Sequence, residues 1–283
     1  MKIIECPRDA MQGLEKFIPT EQKIQYLNQL LKVGFDTIDF GSFVSPKAIP
    51  QLRDTAIVLE HLQWRESRSR LLAIIANTRG AEEACKHEGI TYLGFPMSIS
   101  ETFQQRNTNK SIAEALNTVA EIQNLCAASG KTLVTYISMG FGNPYGDPYD
   151  TSIAEQFVDI LITLGCSIIS LADTIGVSNP DNIRTLFSTL SARYPAIELG
   201  VHLHSTPVTA TEKIVAAYQA GCKRFDGAIR GYGGCPMAED ELVGNVATEN
   251  ILFCLEQHGI NTGVDTKAFA EALKLADEIF PKH

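Results

Sequence analysis

The feature that most constrains this sequence is a regular alternation of short apolar segments with longer segments of helical periodicity. The apolar segments are rich in Ile, Val and Leu, and the longer segments repeat apolar residues three and four positions apart, as strands and helices do. The predicted strands are Lys2–Cys6, Thr37–Gly41, Leu71–Ala76, Thr91–Phe95, Leu133–Met139, Ser167–Ala172, Glu198–His202 and Arg224–Ala228. The predicted helices span 20–33, 50–62, 79–88, 111–129, 151–164, 180–193, 207–220 and 245–258, and a further amphipathic helix spans about 264–280.

Eight strand–helix units without a break in composition predict one α/β domain, a (β/α)8 TIM barrel with an extra C-terminal helix. The strands are apolar throughout rather than alternating, as expected of strands that are covered on both faces. We therefore predict that residues 1–283 form a single catalytic barrel domain. In such a barrel the functional groups lie at the C-terminal ends of the strands and in the loops that follow them.

The charge balance excludes several classes of protein. The chain has 24 Lys and Arg residues against 33 Asp and Glu residues, a net charge of −9. Nucleic-acid binding and binding to an anionic membrane both need a basic face, so neither is expected. Seven cysteines without paired spacing are typical of a reducing compartment. Because the N-terminal residues also do not read as a secretion signal, we expect a cytoplasmic protein.

A His-x-His pair ends the seventh predicted strand. In a strand, residues two apart project from the same face, so His202 and His204 can bind one divalent metal. Taken alone, the pair is more simply explained as a polar strand end, and its partners elsewhere in the chain favour the metal site. Asp9, after the first strand, and the carbonyl oxygen of Asn245 would complete a mixed oxygen and nitrogen set that suits Mg²⁺ or Mn²⁺. The alternatives are a turn or ion-pair residue for Asp9 and a helix N-cap for Asn245.

Two more residues near the strand ends could take part in catalysis. Arg8 carries a permanent charge that could bind an enolate or a carboxylate through two hydrogen bonds, or could form a structural ion pair. Cys235 differs from the other cysteines because it lies in the glycine-rich segment Gly231–Pro236. A mobile loop of this kind could place a thiol over a site as a general acid or base, although an incidental exposed cysteine is the alternative.

Further polar residues follow other strands. Asp39 and Asp173 could orient metal ligands, take part in proton transfer or simply form turns. Four basic residues on the same rim could bind phosphate groups or be solvated surface charges: Lys47, Arg53, Arg106 and Lys110.

Taken in order, these residues resemble the 3-hydroxy-3-methylglutaryl-CoA (HMG-CoA) lyase family over nearly the whole chain. The resemblance rests on Pro7-Arg8-Asp9, Ser42–Lys47, Ser100-Glu101 with Asn107 and Asn109, Asp173–Gly176, His202-Leu203-His204, Gly233–Pro236 and Gly244–Glu249. The Arg-Asp pair and His-x-His are shared with the wider superfamily of metal-dependent aldolases and Claisen-type synthases. The Gly-Gly-Cys-Pro segment indicates the lyase branch.

The resemblance implies cleavage of HMG-CoA to acetyl-CoA and acetoacetate, with a divalent metal as cofactor and an acyl-CoA as substrate. By residue, it implies metal binding by Asp9, His202, His204 and Asn245. It implies that Arg8 stabilises the enolate and that Cys235 lies in a mobile loop over the site. His202, Asp39 and Asp173 are further predicted catalytic residues, and Arg8, Gln12 and Ser42 are predicted to contact the substrate.

The chain departs from the family pattern at four places, which leaves the acyl group open. Asp39 stands where the family has glutamate, Ser205 stands where it has aspartate, and the acidic residue expected near Leu14 is missing. The segment from Cys235 to Asn245 is one residue longer than expected. The alternatives are a related aldolase or Claisen enzyme acting on another 3-hydroxyacyl-CoA or a 2-oxo acid, and a barrel that binds acyl-CoA without turnover. A homo-oligomer is also compatible with the sequence.

Overall fold

The computed structural model describes residues 1–234 and 243–280. Its strands are β1 Lys2–Glu5, β2 Thr37–Ser42, β3 Arg70–Ile74, β4 Ile90–Ser98, β5 Thr132–Ser138, β6 Ile168–Asp173, β7 Glu198–Ser205, β8 Arg224–Gly227 and β9 Gly244–Asn245. Its helices are α1 Pro7–Gln12, α2 Thr20–Val33, α3 Thr55–Glu60, α4 Thr78–Cys85, α5 Glu101–Thr108, α6 Ile112–Ala128, α7 Thr151–Thr163, α8 Pro180–Arg193, α9 Ala210–Gln219, α10 Thr248–Gln257 and α11 Thr266–Ile279.

Strands β1 to β8 close into a barrel of parallel strands. Each strand pairs with its neighbours in chain order, β1 pairs with β8, and β6 pairs with β7 to complete the ring. The prediction of a TIM barrel is therefore confirmed. The short strand β9 pairs antiparallel with the end of β7, and it places Asn245 opposite His204.

Successive side chains along each strand point alternately into the barrel interior and into the layer between the strands and the helices. On β7, Val201 and Leu203 are buried in the large core between the strands and the helices. His202 and His204, one position removed, therefore face the opposite way, into the barrel. A smaller apolar cluster fills the interior below them: Leu72, Ile74, Tyr92, Val134, Tyr136 and Ile168. This cluster forms a rigid floor for the polar groups at the strand ends.

One predicted helix is interrupted in the structure at a residue whose side chain bonds a neighbouring helix. The segment predicted as one helix at 50–62 forms a 3-10 turn at Pro50–Leu52 and then α3. The intervening Asp54 accepts hydrogen bonds from Lys23 Nζ at 2.7 Å and from Thr20 Oγ1 at 2.8 Å, which tie it to α2. The short helices α1, of six residues, and α5, of eight residues, are not among the predicted helices.

The predicted extra C-terminal helix is present as α11, which packs against α2. Phe269 meets Phe35 edge to face with ring centroids 6.1 Å apart, and Phe280 stacks on Tyr232 at 4.7 Å. Within residues 1–234 and 243–280, every helix is too short or too polar to cross a bilayer.

Glu5 on β1 gives the fold a predicted dependence on pH. It is fully buried and accepts hydrogen bonds from Thr248 Oγ1 at 2.5 Å and from the Ile229 amide at 2.9 Å. Burial raises the pKa of Glu5 to about 8, although these two hydrogen bonds lower it. The folded state therefore holds a proton that the unfolded chain releases above its ordinary pKa. The contribution to stability is full below pH ~4.5 and is lost as the pH rises towards 8.

We expect Glu5→Gln to remove this dependence, since its amide oxygen can accept from the Ile229 amide, its amide nitrogen can donate to Thr248 Oγ1, and the side chain does not ionise. Between pH 5 and pH 8 the wild type should lose on the order of 4 kcal/mol more stability than the variant. Urea unfolding of both proteins at the two pH values measures this difference. Glu60→Gln, on the exposed end of α3, is the control and should follow the wild type. Equal slopes for wild type and Glu5→Gln would contradict the assignment.

Candidate active site

A cavity of about 440 Å³ opens at the C-terminal ends of the barrel strands. Among the described residues that line it are Arg8, Asp9 and Gln12 of α1 and both histidines of β7. Its other walls come from the ends of β3 to β6 and from α5, and they include Ile74, Pro96, Phe103, Arg106, Asn107, Thr108, Tyr136, Ser138 and Thr174. Arg8, Asp9, Gln12, His202 and His204 therefore meet at one cavity at the strand ends, as the rule of placement predicts, whereas its described lining does not include Asp39, Ser42, Asp173 or Asn245.

Asp9, His202 and His204 form a group with metal-binding geometry. One ligand atom from each lies within 4.8 Å of the other two. His204 Nδ1 lies 3.0 Å from the carbonyl oxygen of Thr174, which can only accept, so Nδ1 carries the hydrogen and Nε2 carries the lone pair. That Nε2 is buried without a hydrogen-bond partner among the described residues. Burial, with the neighbouring His202, lowers the pKa of His204 to about 4, so the ring is neutral and suited to a metal.

Asn245 completes one side of this group from β9. Its side-chain nitrogen donates to Asp9 Oδ2 at 2.6 Å and to the carbonyl oxygen of Tyr232 at 2.9 Å. It is not an N-cap, because Ala247 occupies that position of α10. The N-cap alternative is therefore wrong, and the pairing of β9 with β7 is what brings Asn245 to the site.

Arg8 is held rigidly at the cavity wall by two carboxylates. Its Nε and Nη2 donate to Asp39 Oδ2 at 3.0 and 2.6 Å, and its Nη1 donates at 2.8 Å to Asp9 Oδ1 and to Gln12 Oε1. Burial raises the pKa of Asp39 to about 6 even though Arg8 lowers it. Burial also opposes the ionisation of Asp9, but the charge of Arg8, with the hydrogen bond from Asn245, brings its pKa below the ordinary value. Arg8 therefore forms the structural ion pair that was the alternative interpretation, and it also lies at the cavity wall.

Asp173 and Ser42 lie at strand ends but outside the described lining of the cavity. Asp173 Oδ2 accepts hydrogen bonds from Ser178 Oγ at 2.5 Å and from Lys213 Nζ at 2.9 Å. Lys213 also donates to the carbonyl oxygen of His204 at 2.9 Å, so Asp173 supports the end of β7 from behind. Ser42 Oγ accepts the amide hydrogen of Val44 and so shapes the loop after β2.

Cys235 lies outside the described residues. The segment that leads to it is described as far as Gly234, and both Gly233 and Gly234 have positive φ, at 90° and 148°. A Cβ on Gly233 would lie 2.8 Å from Asn245 Nδ2 and from the carbonyl oxygen of Asp9. Glycine is therefore required where this segment passes over the metal-binding group.

The four basic rim residues have different surroundings. Arg106 lines the cavity, and its guanidinium lies 4.6 Å from the ring centroid of Tyr145. Arg53 stacks over Phe17 at 3.8 Å, and Lys110 Nζ donates to Thr118 Oγ1 at 2.8 Å. Lys47 is exposed on the loop after β2. Arg106 is the one of these four that the structure places on the cavity wall.

Two polar residues beside the site escaped the sequence reasoning. Tyr136 of β5 lines the cavity floor, and Asp226 of β8 lies with Oδ2 3.4 Å from His202 Nδ1. A signal for Asp226 was present, because Arg224 and Asp226 are charged residues two apart in an otherwise apolar strand. Such a pair faces the barrel interior, where a charge needs a function or a partner.

A parallel barrel with a buried carboxylate and two histidines at its C-terminal end, beside a buried arginine, defines the class of divalent-metal-dependent (β/α)8 enzymes. The model of the HMGL-like family matches residues 2–276. The chain therefore belongs to the HMGL-like family.

Its relatives cover nearly the whole chain. The hydroxymethylglutaryl-CoA lyase YngG of Bacillus subtilis is 38% identical over 272 residues, which are 96% of this chain and 90% of that protein. The cytoplasmic 3-hydroxy-3-methylglutaryl-CoA lyase of Rattus norvegicus is 33% identical over 96% of this chain and 79% of its own length. A Bacillus subtilis HMG-CoA lyase structure superposes with a TM-score of 0.92 at 37% identity and covers 100% of this chain and 95% of that one. The structure of an Acinetobacter baumannii HMG-CoA lyase in complex with coenzyme A and 3-methylmalate superposes with a TM-score of 0.90 at 31% sequence identity. The match covers 99% of this chain and 90% of that one.

Proposed function

We propose that this protein is a hydroxymethylglutaryl-CoA lyase, which cleaves HMG-CoA to acetyl-CoA and acetoacetate by retro-Claisen chemistry. The observation that carries the proposal is the convergence of Arg8, Asp9, His202 and His204 on one cavity at the strand ends. Membership of the HMGL-like family and relatives of that name over 96% of the chain support it.

We propose Mg²⁺ or Mn²⁺ as the cofactor, bound by Asp9, His202, His204 and the side-chain oxygen of Asn245. The unpartnered Nε2 of His204 and the close approach of the three ligand atoms fit such an ion. Oxygen and neutral imidazole ligands favour these ions over a tetrahedral zinc site. A bound divalent cation would supply Lewis acidity towards the hydroxyl and carboxylate oxygens of the substrate.

The protein's own part in the reaction begins with Arg8. A base takes the proton of the C3 hydroxyl, that oxygen becomes the ketone oxygen of acetoacetate, and the electron pair of the broken bond between C2 and C3 passes to the thioester as an enolate. A rigid guanidinium at the cavity wall can stabilise the negative charge that develops on the thioester oxygen. Asp39 and Gln12 hold the guanidinium in place, so no reorganisation is needed during the reaction. Asp39 and Asp173 lie behind the cavity wall, and we assign them to positioning rather than to contact with the substrate.

Cys235 is proposed to protonate the carbanion that becomes the methyl group of acetyl-CoA. We expect Cys235→Ala to lower kcat by about 10²- to 10⁴-fold, the range typical of a lost general acid. Metal content should stay close to that of the wild type, because the proposed ligands are elsewhere. Turnover is measured as acetoacetate formation and metal content by elemental analysis of the purified protein. Loss of metal together with activity would contradict the assignment.

An acyl-CoA substrate is supported by the Acinetobacter baumannii lyase, which binds coenzyme A. The test is an assay of the purified protein with Mg²⁺ or Mn²⁺ and HMG-CoA, followed for acetoacetate. Condensation of acetyl-CoA with a 2-oxo acid in place of cleavage would favour a related synthase, and binding without a product would favour a non-catalytic barrel. Three predictions are not tested by the structure: that the chain forms a single catalytic domain, that the protein is cytoplasmic, and that it forms a homo-oligomer. Light scattering would measure the oligomeric state.

A further inference from the structure

A second group of metal-binding side chains lies inside the barrel beside the first. Cys6 follows β1, Asp226 lies on β8, and one ligand atom from each of Cys6, His202 and Asp226 lies within 4.8 Å of the other two. Cys6 is 1% exposed and Asp226 is 3% exposed. The group shares His202 with the first site and lacks Asp9 and His204, so it is a distinct set of donors.

The donor atoms of this group are only weakly engaged. Asp226 Oδ1 is buried without a hydrogen-bond partner among the described residues, and Oδ2 makes a long contact of 3.4 Å to His202 Nδ1. Cys6 Sγ makes a weak contact, 3.9 Å, with the carbonyl oxygen of Ile4. Arg224 Nε lies 3.9 Å from Asp226 Oδ1, and the charge of Arg8 also acts on Cys6 and His202. Arg8 is itself paired with Asp9 and Asp39, so the negative charges of Asp226 and a Cys6 thiolate exceed the positive charge that remains, that of Arg224.

We propose that Cys6, His202 and Asp226 form a second cation site, selective for a thiophilic divalent ion such as Zn²⁺, and that filling it inhibits the enzyme. Sulfur, imidazole nitrogen and carboxylate oxygen are the ligands of zinc, whereas Mg²⁺ avoids sulfur. Binding releases the thiol proton of Cys6 to solvent and leaves a thiolate on the ion. The part of the proposal that concerns inhibition rests on the proposed lyase function.

The inhibition follows from the chemistry of His202. A neutral imidazole has one nitrogen with a lone pair and one with a hydrogen. In the working form, Nδ1–H faces Asp226 and leaves the lone pair on Nε2 for the first site. An ion bound at Nδ1 forces the hydrogen onto Nε2, which then cannot be a ligand. The two sites therefore exclude one another through a single ring.

The first test uses Co²⁺ as the probe and needs no catalytic activity. Metal-free protein titrated with Co²⁺ should develop the near-ultraviolet charge-transfer band of a thiolate–Co²⁺ bond. We expect Cys6→Ser to lose this band and Cys235→Ala, the control for the thiol that is proposed to act in catalysis, to keep it. A wild-type spectrum without the band, or a band lost in Cys235→Ala and kept in Cys6→Ser, would overturn the proposal.

The second test measures inhibition of the Mg²⁺-loaded enzyme by Zn²⁺. Cys6→Ser should keep Mg²⁺-dependent turnover within a few-fold and raise the inhibition constant for Zn²⁺ by about 10-fold or more. Cys6→Ala provides an independent variant should Cys6→Ser fold poorly. Unchanged inhibition in every folded variant would refute the inhibitory site. An inactive wild type that still shows the Cys6-dependent Co²⁺ band would instead sink the lyase assignment and leave the second site standing.

Discussion

Replacing Arg8 by methionine is expected to lower kcat for HMG-CoA cleavage by about 10²- to 10³-fold, the usual effect of removing one preorganised donor to a developing oxyanion. Methionine keeps most of the side chain's length but has no charge. Since the charge on the thioester oxygen grows only as the bond breaks, KM should change much less than kcat. Steady-state measurement of acetoacetate formation at saturating metal separates the two parameters.

Two companion variants make the Arg8 result interpretable. Arg8→Lys keeps a charge but cannot reproduce the fork that bonds Asp39 and Asp9, so it should recover only part of the loss. Arg53→Met removes an exposed arginine of the same rim that stacks on Phe17, and it should stay within a few-fold of the wild type. Arg8 also touches a proposed metal ligand, so metal content must be measured. If a lower metal content of Arg8→Met accounts for the whole loss of kcat, Arg8 does not stabilise the enolate directly.

Sequence patterns predicted the barrel because its long elements repeat one simple signal. The eight apolar strands were each located to within a few residues, and the closed parallel sheet follows from their alternation with helices. What the patterns missed is short or irregular. Helix α1 has only six residues, yet it carries both Arg8 and Asp9 to the cavity. Strand β9 has two residues, and its pairing with β7, rather than any local preference, places Asn245.

The site residues were predictable as positions, but their roles depended on partners distant in the chain. Asp39 and Asp173 looked alike in sequence as carboxylates at strand ends. In the structure Asp39 bonds Arg8, whereas Asp173 bonds Lys213 of α9, forty residues later. A buried lysine on an amphipathic helix cannot be recognised from the local sequence, because lysines on such helices usually lie at the surface. Asp226 could be noticed as a charge within a strand, but its neighbour His202 is known only from the strand register.

The proposed metal ligand His204 gives the second prediction of large effect. Its Nε2 is fixed towards Asp9 by the bond from Nδ1 to Thr174, and the Lys213–Asp173 pair holds the strand end that carries it. We expect His204→Ala to weaken Mn²⁺ binding by about 100-fold or more and to abolish turnover at ordinary metal concentrations. Calorimetric titration of metal-free protein with Mn²⁺ measures the affinity directly.

The expected rescue distinguishes a lost ligand from a damaged fold. If His204→Ala fails only in metal binding, a high concentration of Mn²⁺ should restore part of kcat, and the unfolding midpoint of the metal-free variant should remain near that of the metal-free wild type. The matched control His61→Ala removes an exposed histidine of the barrel's outer layer, whose Nδ1 bonds the carbonyl oxygen of Ile57, and it should bind Mn²⁺ normally. Full metal occupancy in His204→Ala would refute its place as a ligand. It would also leave the unpartnered Nε2 unexplained, because a buried lone pair without a partner costs about 1–3 kcal/mol.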